Sequence, residues 1–250
     1  MNIIYEVLSG SHAYGLATET SDEDVRGVFL PTPEELLGFG YPETKEAKPD
    51  KVYHSLRKFM HLALKANPSI LAWLWVEPRF ITVDSWISDE LRANRDKFLS
   101  KAVRNTFGGY AMSQLKKMEK SYGLDRGYAL HGERDATADP YSQKAGYDVK
   151  NAQNLVRLLY CGNKLLQTGE YLVFIADEEM REHLQSIRRG GFSFYRILGE
   201  AQGMLDQLDY WCEHSSLPDK PDREWAEQFL CKAHLWSVEH GAKKDEQTGA

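Results

Sequence analysis

The segment from Gly10 to Asp24 constrains this chain most, because it places a Gly-Ser pair ahead of an Asp-x-Asp pair and strand-like sequence flanks both. Residues 3–8 read as a short strand or the end of a helix, and the apolar, β-branched residues 25–30 are typical of a strand. Asp22 and Asp24 are therefore expected at the start of a strand. Side chains two positions apart in a strand point the same way, so the two carboxylates are predicted to project together.

Two neighbouring carboxylates repel each other unless a cation lies between them. Hard oxygen ligands suit magnesium, which keeps several water molecules and binds through one or two carboxylates together with substrate phosphate. Asp22 and Asp24 are thus candidate ligands of Mg²⁺ or Mn²⁺. An Asp-x-Asp pair alone is a weak signal, because acidic turns before strands are common and most are solvated.

The Gly-Ser pair indicates what such a metal would act on. Gly10 permits backbone conformations and a close approach that a side chain would block. The N–H groups of such a turn, together with the Ser11 hydroxyl, can bind phosphate oxygens. A triphosphate and a metal are therefore predicted to meet in one cleft.

The Gly-Ser pair, a gap of about ten residues and the Asp-x-Asp pair resemble the signature of the DNA polymerase β superfamily of nucleotidyltransferases. The full segment GSHAYGLATETSDEDVRGVFL is similar to one branch, the predicted nucleotidyltransferases associated with RNA ligases and RNA repair. The resemblance implies metal-dependent transfer of a nucleoside monophosphate from a nucleoside triphosphate, such as ATP, to a hydroxyl, with an RNA end as the favoured acceptor. It spans nearly the whole chain, but only residues 10–27 are specific by themselves.

Members of the superfamily usually carry a third carboxylate on a neighbouring strand, and the resemblance assigns it to Asp50, as a catalytic and metal-binding residue. Asp50 opens a strand-like run, residues 50–55, which leads into an apolar helical pattern. This segment resembles the strand that carries the third acid in the family. Asp50 as a solvated strand cap remains an alternative, and Glu46 and Glu77 are the next candidates for the third acid.

The segment from Tyr147 to Arg157 resembles a Tyr-Asp-x-Lys helix of the family. Lys150, Asn154 and Arg157 are spaced by four and three residues and so fall on one helix face. Such a row would neutralise a triphosphate or bind an RNA backbone. The alternative is a solvated helix face capped by Asp148. The candidate phosphate-binding residues are Gly10, Ser11, Arg26, Lys150 and Arg157.

The pattern along the chain predicts an α+β fold. A small mixed β-sheet, forming a polymerase β-like nucleotidyltransferase domain, is expected over residues 1–88, and a mainly helical C-terminal domain over residues 89–250. Residues 91–122 read as one helix, whereas residues 40–49 and 123–146 read as loops.

Composition narrows the class of protein. At 250 residues the chain can form one large or two modest domains. It has no run of eighteen apolar residues and no signal-peptide pattern, so a cytoplasmic location is expected and a membrane segment is not. Its three cysteines form no C-x-x-C pair, which disfavours disulfides and structural zinc. The net charge of −6 argues against nucleic-acid binding through the overall field but leaves room for a local basic groove.

Two other functions remain open. The acceptor could be a protein hydroxyl, as in antitoxin-like members of the superfamily. The chain could instead be a retired module that binds nucleotide or RNA without catalysis, because several positions lack an acid or an imidazole expected from the family. These positions are Ala72, Asn151, Asn154 and Gly191. The sequence does not predict an oligomeric state.

Overall fold

The computed structural model describes residues 2–19, 21–47, 51–122 and 139–246, with side chains through residue 240. The fold is α+β, as predicted, with a mixed sheet and a mainly helical region. The chain forms two compact units, Met1–Ser100 with Lys220–Ala250, and Lys101–Asp219. The expected domain division between residues 88 and 89 remains a prediction.

The first unit contains the sheet, whose strands are β1 (Asn2–Leu8), β2 (Val25–Leu30), β3 (Thr44–Ala47), β4 (Lys51–Ser55) and β5 (Ile81–Val83). Their order across the sheet is β3-β4-β2-β1-β5. β2 and β4 are parallel, and the other neighbouring strands pair antiparallel. Consecutive residues of β1 and β2 are buried, which is why these strands read as nearly continuous apolar runs.

The helices of the first hundred residues are α1 (Gly10–Tyr14), α2 (Pro33–Leu37), α3 (Leu56–Ala63), α4 (Pro68–Trp75) and α5 (Trp86–Ala93). α3 begins where the Ser55 hydroxyl accepts the backbone N–H of Lys58 at 3.1 Å. α4 begins at Pro68, and the side-chain oxygen of Asn67 accepts the first free backbone N–H groups of this helix. Local side-chain caps thus set where both helices start.

The second unit is helical, with α6 (Val103–Tyr122), α7 (Pro140–Ala145), α8 (Val149–Thr168), α9 (Glu178–Arg188) and α10 (Phe194–His214). α8 lies at its centre and packs against the other four helices of the unit. A Cβ added to Gly162 of α8 would lie 3.0 Å from Phe107 Cβ and 3.1 Å from Leu208 Cδ1. A glycine at this position therefore lets α6, α8 and α10 approach closely.

The last helix, α11 (Arg223–Glu246), belongs to the first unit. The Ser237 hydroxyl donates to the Pro31 carbonyl at 2.8 Å in a buried contact. The Trp86 ring packs edge-on against Trp236 and Phe229, at centroid distances of 5.7 and 6.4 Å. Helix α11 thus packs against α5 and the end of β2. Among the described residues, no helix has the length and apolarity that a membrane span requires.

The loop predicted over residues 40–49 is wrong in part, because residues 44–47 form β3. β3 pairs antiparallel with β4, Thr44 lying opposite His54. Lys45 of β3 also lies over the Phe29 ring, with Nζ 4.5 Å from the centroid. The pairing is supplied by the backbone of β4, which the polar composition of this segment does not reveal.

The single helix predicted over residues 91–122 is also wrong. α5 ends at Ala93, a 3-10 helix follows over Arg95–Phe98, and α6 begins only at Val103. Asn94 ends α5, its side-chain amide donating to the Glu90 carbonyl at 2.9 Å. A polar residue that bonds the last free carbonyls is a helix stop that apolar periodicity alone overlooks.

The loop predicted over residues 123–146 contains α7 near its end. Asp139 caps this helix by accepting the Tyr141 N–H at 3.0 Å, and Pro140 occupies its first turn. Asp-Pro is thus a helix start here rather than a turn. Residues 123–138 lie outside the described part of the chain.

Candidate active site

The Gly-Ser pair and Asp24 meet at one end of the sheet, where β1 ends and β2 begins. The Ser9 N–H donates to the Asp24 carbonyl at 2.8 Å, one step beyond the last strand pair, Leu8 with Val25. Gly10 has a φ of +66°, and a Cβ added there would lie 2.4 Å from Asp24 Oδ2. Glycine therefore lets the carboxylate lie directly against the backbone.

Gly10 and Ser11 open the short helix α1, whereas a turn was predicted. Ser9 precedes this helix, and its side chain does not cap it. The first N–H groups of a helix have no partner within the helix. The backbone of Gly10 therefore lies beside the Asp24 carboxylate at the start of a helical turn. Phosphate binding by its N–H groups remains a prediction.

Asp22 and Asp24 lie immediately before β2 rather than within it. Asp22 is exposed, and the side chain of Asp24 is 43% exposed. Arg26 Nη2 lies 3.0 Å from Asp24 Oδ1, and Arg26 Nη1 donates to the Val25 carbonyl, also at 3.0 Å. The guanidinium thus neutralises one of the two carboxylates and is held beside it by the backbone.

The predicted third carboxylate, Asp50, lies outside the described residues. The next residue, Lys51, opens β4 and pairs in the parallel ladder with Val25. Val25 in turn directly follows Asp24. Each of the two acids, Asp24 and Asp50, thus directly precedes in the sequence the first residue of a strand, and these two strands, β2 and β4, are parallel neighbours.

The alternative acids have other surroundings. Glu46 is exposed on β3 and pairs with Val52 in the sheet. Glu77 forms an ion pair with Arg79 at 2.5 Å. Neither acid lies next in the sequence to Lys51, the residue that pairs with Val25 between β2 and β4.

The carboxylates fit a magnesium site that the protein ligates only in part. Among the residues that the structure describes, which exclude Asp50, no group of three or more His, Cys, Asp or Glu is placed to hold a metal ion. Magnesium, however, is commonly held by one or two carboxylates, water and substrate phosphate. Asp24 fits such a site, because its carboxylate is partly exposed and the space that a Cβ at Gly10 would fill lies open beside it. A shared metal between Asp22 and Asp24 remains a prediction.

A buried carboxylate on β1 was missed by sequence reasoning. Glu6 is 9% exposed and accepts hydrogen bonds from the Tyr53 hydroxyl and, at 2.7 Å, from the Thr82 hydroxyl. Tyr53 can pack over β2 because residue 27 is glycine, where a Cβ would lie 2.7 Å from Tyr53 Cδ1. The signal in the sequence is one acid within an apolar strand. The network links β1, β4 and β5 across the sheet that carries the site.

The protonation states of this network follow from its contacts. Burial alone would raise the pKa of Glu6, but the hydrogen bonds from Tyr53 and Thr82 and the charge of Lys51 hold it below the ordinary value. Burial and the neighbouring Glu6 raise the pKa of Tyr53 to about 12. Glu6 is therefore an ionised acceptor and Tyr53 a neutral donor at neutral pH.

His54 of β4 is held neutral. Its ring stacks on Trp73 with centroids 5.7 Å apart, and Nδ1 lies 3.1 Å from Thr44 Oγ1. Burial, with the positive charges of Lys58 and Arg26, lowers the pKa of His54 to about 4. This imidazole therefore adds no positive charge near Arg26 at neutral pH.

The candidate cations of the second unit differ in exposure. Lys150 is exposed near the start of α8, whereas Arg157 is 8% exposed. Arg157 Nη2 lies 3.4 Å from Asn154 Oδ1. Asn154 and Arg157 therefore contact each other, while the face they were expected to share with Lys150, and a role of Lys150 and Arg157 at the triphosphate, remain predictions.

Comparison with known proteins agrees with this geometry. The model of the RNA repair pathway DNA polymerase beta family matches residues 1–232. The uncharacterized protein YcgL of Bacillus subtilis (strain 168) is 32% identical over 81 residues, which is 30% of this chain. The match spans 30% of that relative's own length. No solved structure matches the chain. With a Gly-Ser pair against an Asp-x-Asp carboxylate and a family match over nearly its whole length, the chain belongs to the RNA repair pathway DNA polymerase beta family, a family of polymerase β-like nucleotidyltransferases.

Proposed function

We propose that this protein transfers a nucleoside monophosphate from a nucleoside triphosphate to a hydroxyl and releases pyrophosphate, in a reaction that requires Mg²⁺ or Mn²⁺. The observation that carries the proposal is the close approach of the Gly10 backbone to the Asp24 carboxylate. This approach puts the backbone that would bind phosphate next to the carboxylate that would hold the metal. Family membership supports the same class of reaction.

Asp22 and Asp24 would hold the metal, and Asp50 would complete the site on the acceptor side and accept the proton of the attacking hydroxyl. The in-register pairing of Val25 with Lys51 supports this assignment, since these residues follow Asp24 and Asp50 in parallel strands. When bound, magnesium supplies charge neutralisation between the carboxylates and the phosphate oxygens.

The N–H groups at Gly10 and the Ser11 hydroxyl would position the β- and γ-phosphates. Arg26 supplies positive charge in the same site, with its guanidinium 3.0 Å from Asp24. With a metal held by Asp24, the Arg26 guanidinium would contact phosphate oxygens. The resemblance adds Lys150 and Arg157 as further phosphate contacts.

An RNA end is the acceptor we favour, because the family description places these proteins in RNA repair. The net charge of −6 favours protein nucleotidylation as the second candidate, since an acidic protein gains little from its overall field toward RNA. A retired binding module fits less well, because Gly10, Ser11, Asp22 and Asp24, the groups that metal and triphosphate chemistry would need most, are all present. A cytoplasmic location remains a prediction.

The test is label transfer from each α-³²P nucleotide, with Mg²⁺ or Mn²⁺, to mixed RNA and protein acceptors. Label should transfer from the α-position and not from the γ-position. Metal stabilisation of several kcal/mol corresponds to roughly a thousandfold in rate, so an Asp22→Asn, Asp24→Asn double variant should lose about that much. Glu23→Gln, which alters the exposed acid between them, is the matched control and should retain transfer. Unchanged transfer in the double variant would refute the proposal.

Nuclease and protease digestion of the labelled product separates the two acceptor classes. Label released by nuclease alone indicates an RNA acceptor. Label that remains on a protein after nuclease treatment indicates protein nucleotidylation.

A further inference from the structure

One face of α6 is basic although the protein carries a net charge of −6. Lys116, Lys117 and Lys120 are exposed on this helix, and Glu119 is its one acidic residue. These lysines form a local positive patch that the net negative charge of the protein does not reveal.

These three lysines form no ion pair with any acid in the described ranges on either side of residues 123–138. Four arginines of the same unit are paired within the described residues, and these pairs are Arg104 with Asp209, Arg181 with Glu178, Arg188 with Asp139, and Arg189 with Glu182. The lysines of α6 therefore offer positive charge that the described part of the unit does not neutralise.

The helical period places the lysines opposite the packed side of α6. The side chains that pack inward are Val103, Phe107, Ala111, Leu115 and Met118. Lys116 and Lys120 instead continue an exposed row that begins with Gly109 and Ser113, at spacings of four, three and four residues. Lys117 is also exposed and lies beside this row. We name these residues, Gly109, Ser113, Lys116, Lys117 and Lys120, the α6 basic face.

Packing does not account for Gly109. A Cβ added there would meet nothing within 4 Å, and a glycine inside a helix costs about 1 kcal/mol relative to alanine. Its absent side chain leaves the helix backbone uncovered in the middle of an exposed row. Tyr110 and Met112, 41% and 37% exposed, lie on the two sides of that row.

We propose that the α6 basic face binds the sugar-phosphate backbone of a single-stranded RNA acceptor, with the lysines contacting phosphates and Tyr110 stacking on a base. This inference rests on the proposed function and names a surface for its acceptor. Cations that follow a backbone, with an aromatic side chain alongside, are the combination that single-stranded nucleic acid requires. An acidic protein partner would use the cations alone, whereas a single strand also offers bases that the partly exposed Tyr110 ring can stack on.

The experiment measures binding of a fluorescein-labelled, unstructured RNA of about twenty nucleotides to the full chain by anisotropy, over a range of salt concentrations. Each phosphate contact to a single strand contributes about 0.7 to the slope of log affinity against log salt. A Lys116→Gln, Lys117→Gln, Lys120→Gln triple variant should therefore lower that slope by about two and weaken binding at least about tenfold near 0.1 M salt. Tyr110→Ala should weaken it roughly tenfold with the slope unchanged.

The matched control is a Lys65→Gln, Lys220→Gln, Lys232→Gln triple variant, which alters exposed lysines of the first unit and changes the net charge equally. It should bind RNA as the unaltered protein does. Equal losses in both triple variants, wild-type binding by the α6 variant, or no RNA binding by the unaltered protein would overturn the inference. Competition by polyglutamate as strong as by RNA would also overturn it, since the face would then be a general anion surface.

The aspartate variants separate this inference from the proposed function. If label transfer requires Asp22 and Asp24 while RNA binding ignores the α6 lysines, only the RNA surface is wrong. If RNA binding requires the lysines while transfer survives in the aspartate double variant, the proposed function is wrong and the RNA surface stands.

Discussion

Replacing Gly10 with alanine tests whether the site depends on Asp24 lying against the backbone of α1. The φ of Gly10 is +66°, a conformation that costs a residue with a side chain about 1–3 kcal/mol. The new Cβ would also lie 2.4 Å from Asp24 Oδ2, and Cβ approaches under 3.0 Å do not occur, so the carboxylate must move by about 0.6 Å. Because Asp24 Oδ1 bonds to Arg26, the shift disturbs that ion pair as well.

The expected result is a loss of about 1–3 kcal/mol in the free energy of unfolding together with a larger functional loss. A misplacement of about 1 Å in a reacting site can cost a factor of about 100, so we expect nucleotide transfer to fall at least about tenfold. Urea unfolding gives the first quantity, and single-turnover transfer from labelled nucleotide gives the second.

The matched control is Gly146→Ala. Gly146 has a φ of +78°, and a Cβ there would meet nothing within 4 Å, so this variant carries the backbone strain without displacing a carboxylate. It should lose stability but keep its transfer rate. If Gly10→Ala retains wild-type transfer, or loses no more than Gly146→Ala does, the close approach of Gly10 to Asp24 is not what the site requires.

Four further predictions follow from described contacts. Tyr53→Phe removes one of two hydroxyl donors to the Glu6 carboxylate and should lower the free energy of unfolding by about 1.5–3 kcal/mol, measured in urea. Because the pKa of Glu6 is lowered on folding, the ionised carboxylate stabilises the fold above about pH 4.5, and this stabilisation is lost as the pH falls further. The free energy of unfolding of the variant should therefore fall less steeply in acid than that of the unaltered protein, and equal slopes would contradict this account. His54 should titrate near pH 4 when followed by NMR. Because the unfolded protein binds this proton at a higher pH than the folded protein does, the free energy of unfolding should decrease as the pH drops from about 6.5 toward 4. A titration midpoint near 6.5 would contradict the burial of the His54 ring. A fragment of residues 1–100 should stay unfolded until a peptide of residues 220–250 is added, because the described part of α11 packs into the first unit; independent folding would refute this. Arg26→Gln should raise the KM for the nucleotide roughly tenfold, because one charge-assisted contact is lost. Arg57→Gln, which breaks the ion pair with Glu43 in the same unit, should leave this KM unchanged. Equal effects of the two substitutions would exclude a specific role of Arg26.

The local part of the site could be predicted from the sequence because the chain makes it within a short span. Residues 10–24 connect two strands that pair with each other, so the bond from Ser9 to Asp24 follows once both strands are recognised. The helical form of Gly10 and Ser11 could not be predicted, since a five-residue helix is too short for periodicity to show.

The rest depends on contacts between distant segments. β3 forms because its backbone pairs with that of β4. The Glu6 carboxylate receives a hydrogen bond because the pairing of β2 with β4 places Tyr53 opposite Gly27, where its hydroxyl reaches Glu6. A mainly helical region was expected over residues 89–250, but not that Ser237 of α11 bonds to Pro31. A pattern shows which residues are buried, whereas the partners are set by tertiary packing.

Pyrophosphate release, measured against nucleotide incorporated into RNA, tests the central claim most directly. A nucleotidyltransferase that uses Asp22 and Asp24 releases one pyrophosphate for each nucleotide transferred, with an absolute requirement for Mg²⁺ or Mn²⁺ and loss of both signals in the Asp22→Asn, Asp24→Asn variant. Tight, metal-dependent binding of nucleotide with no pyrophosphate release, for any nucleotide or acceptor pool, would contradict the claim and identify the protein as a binding module.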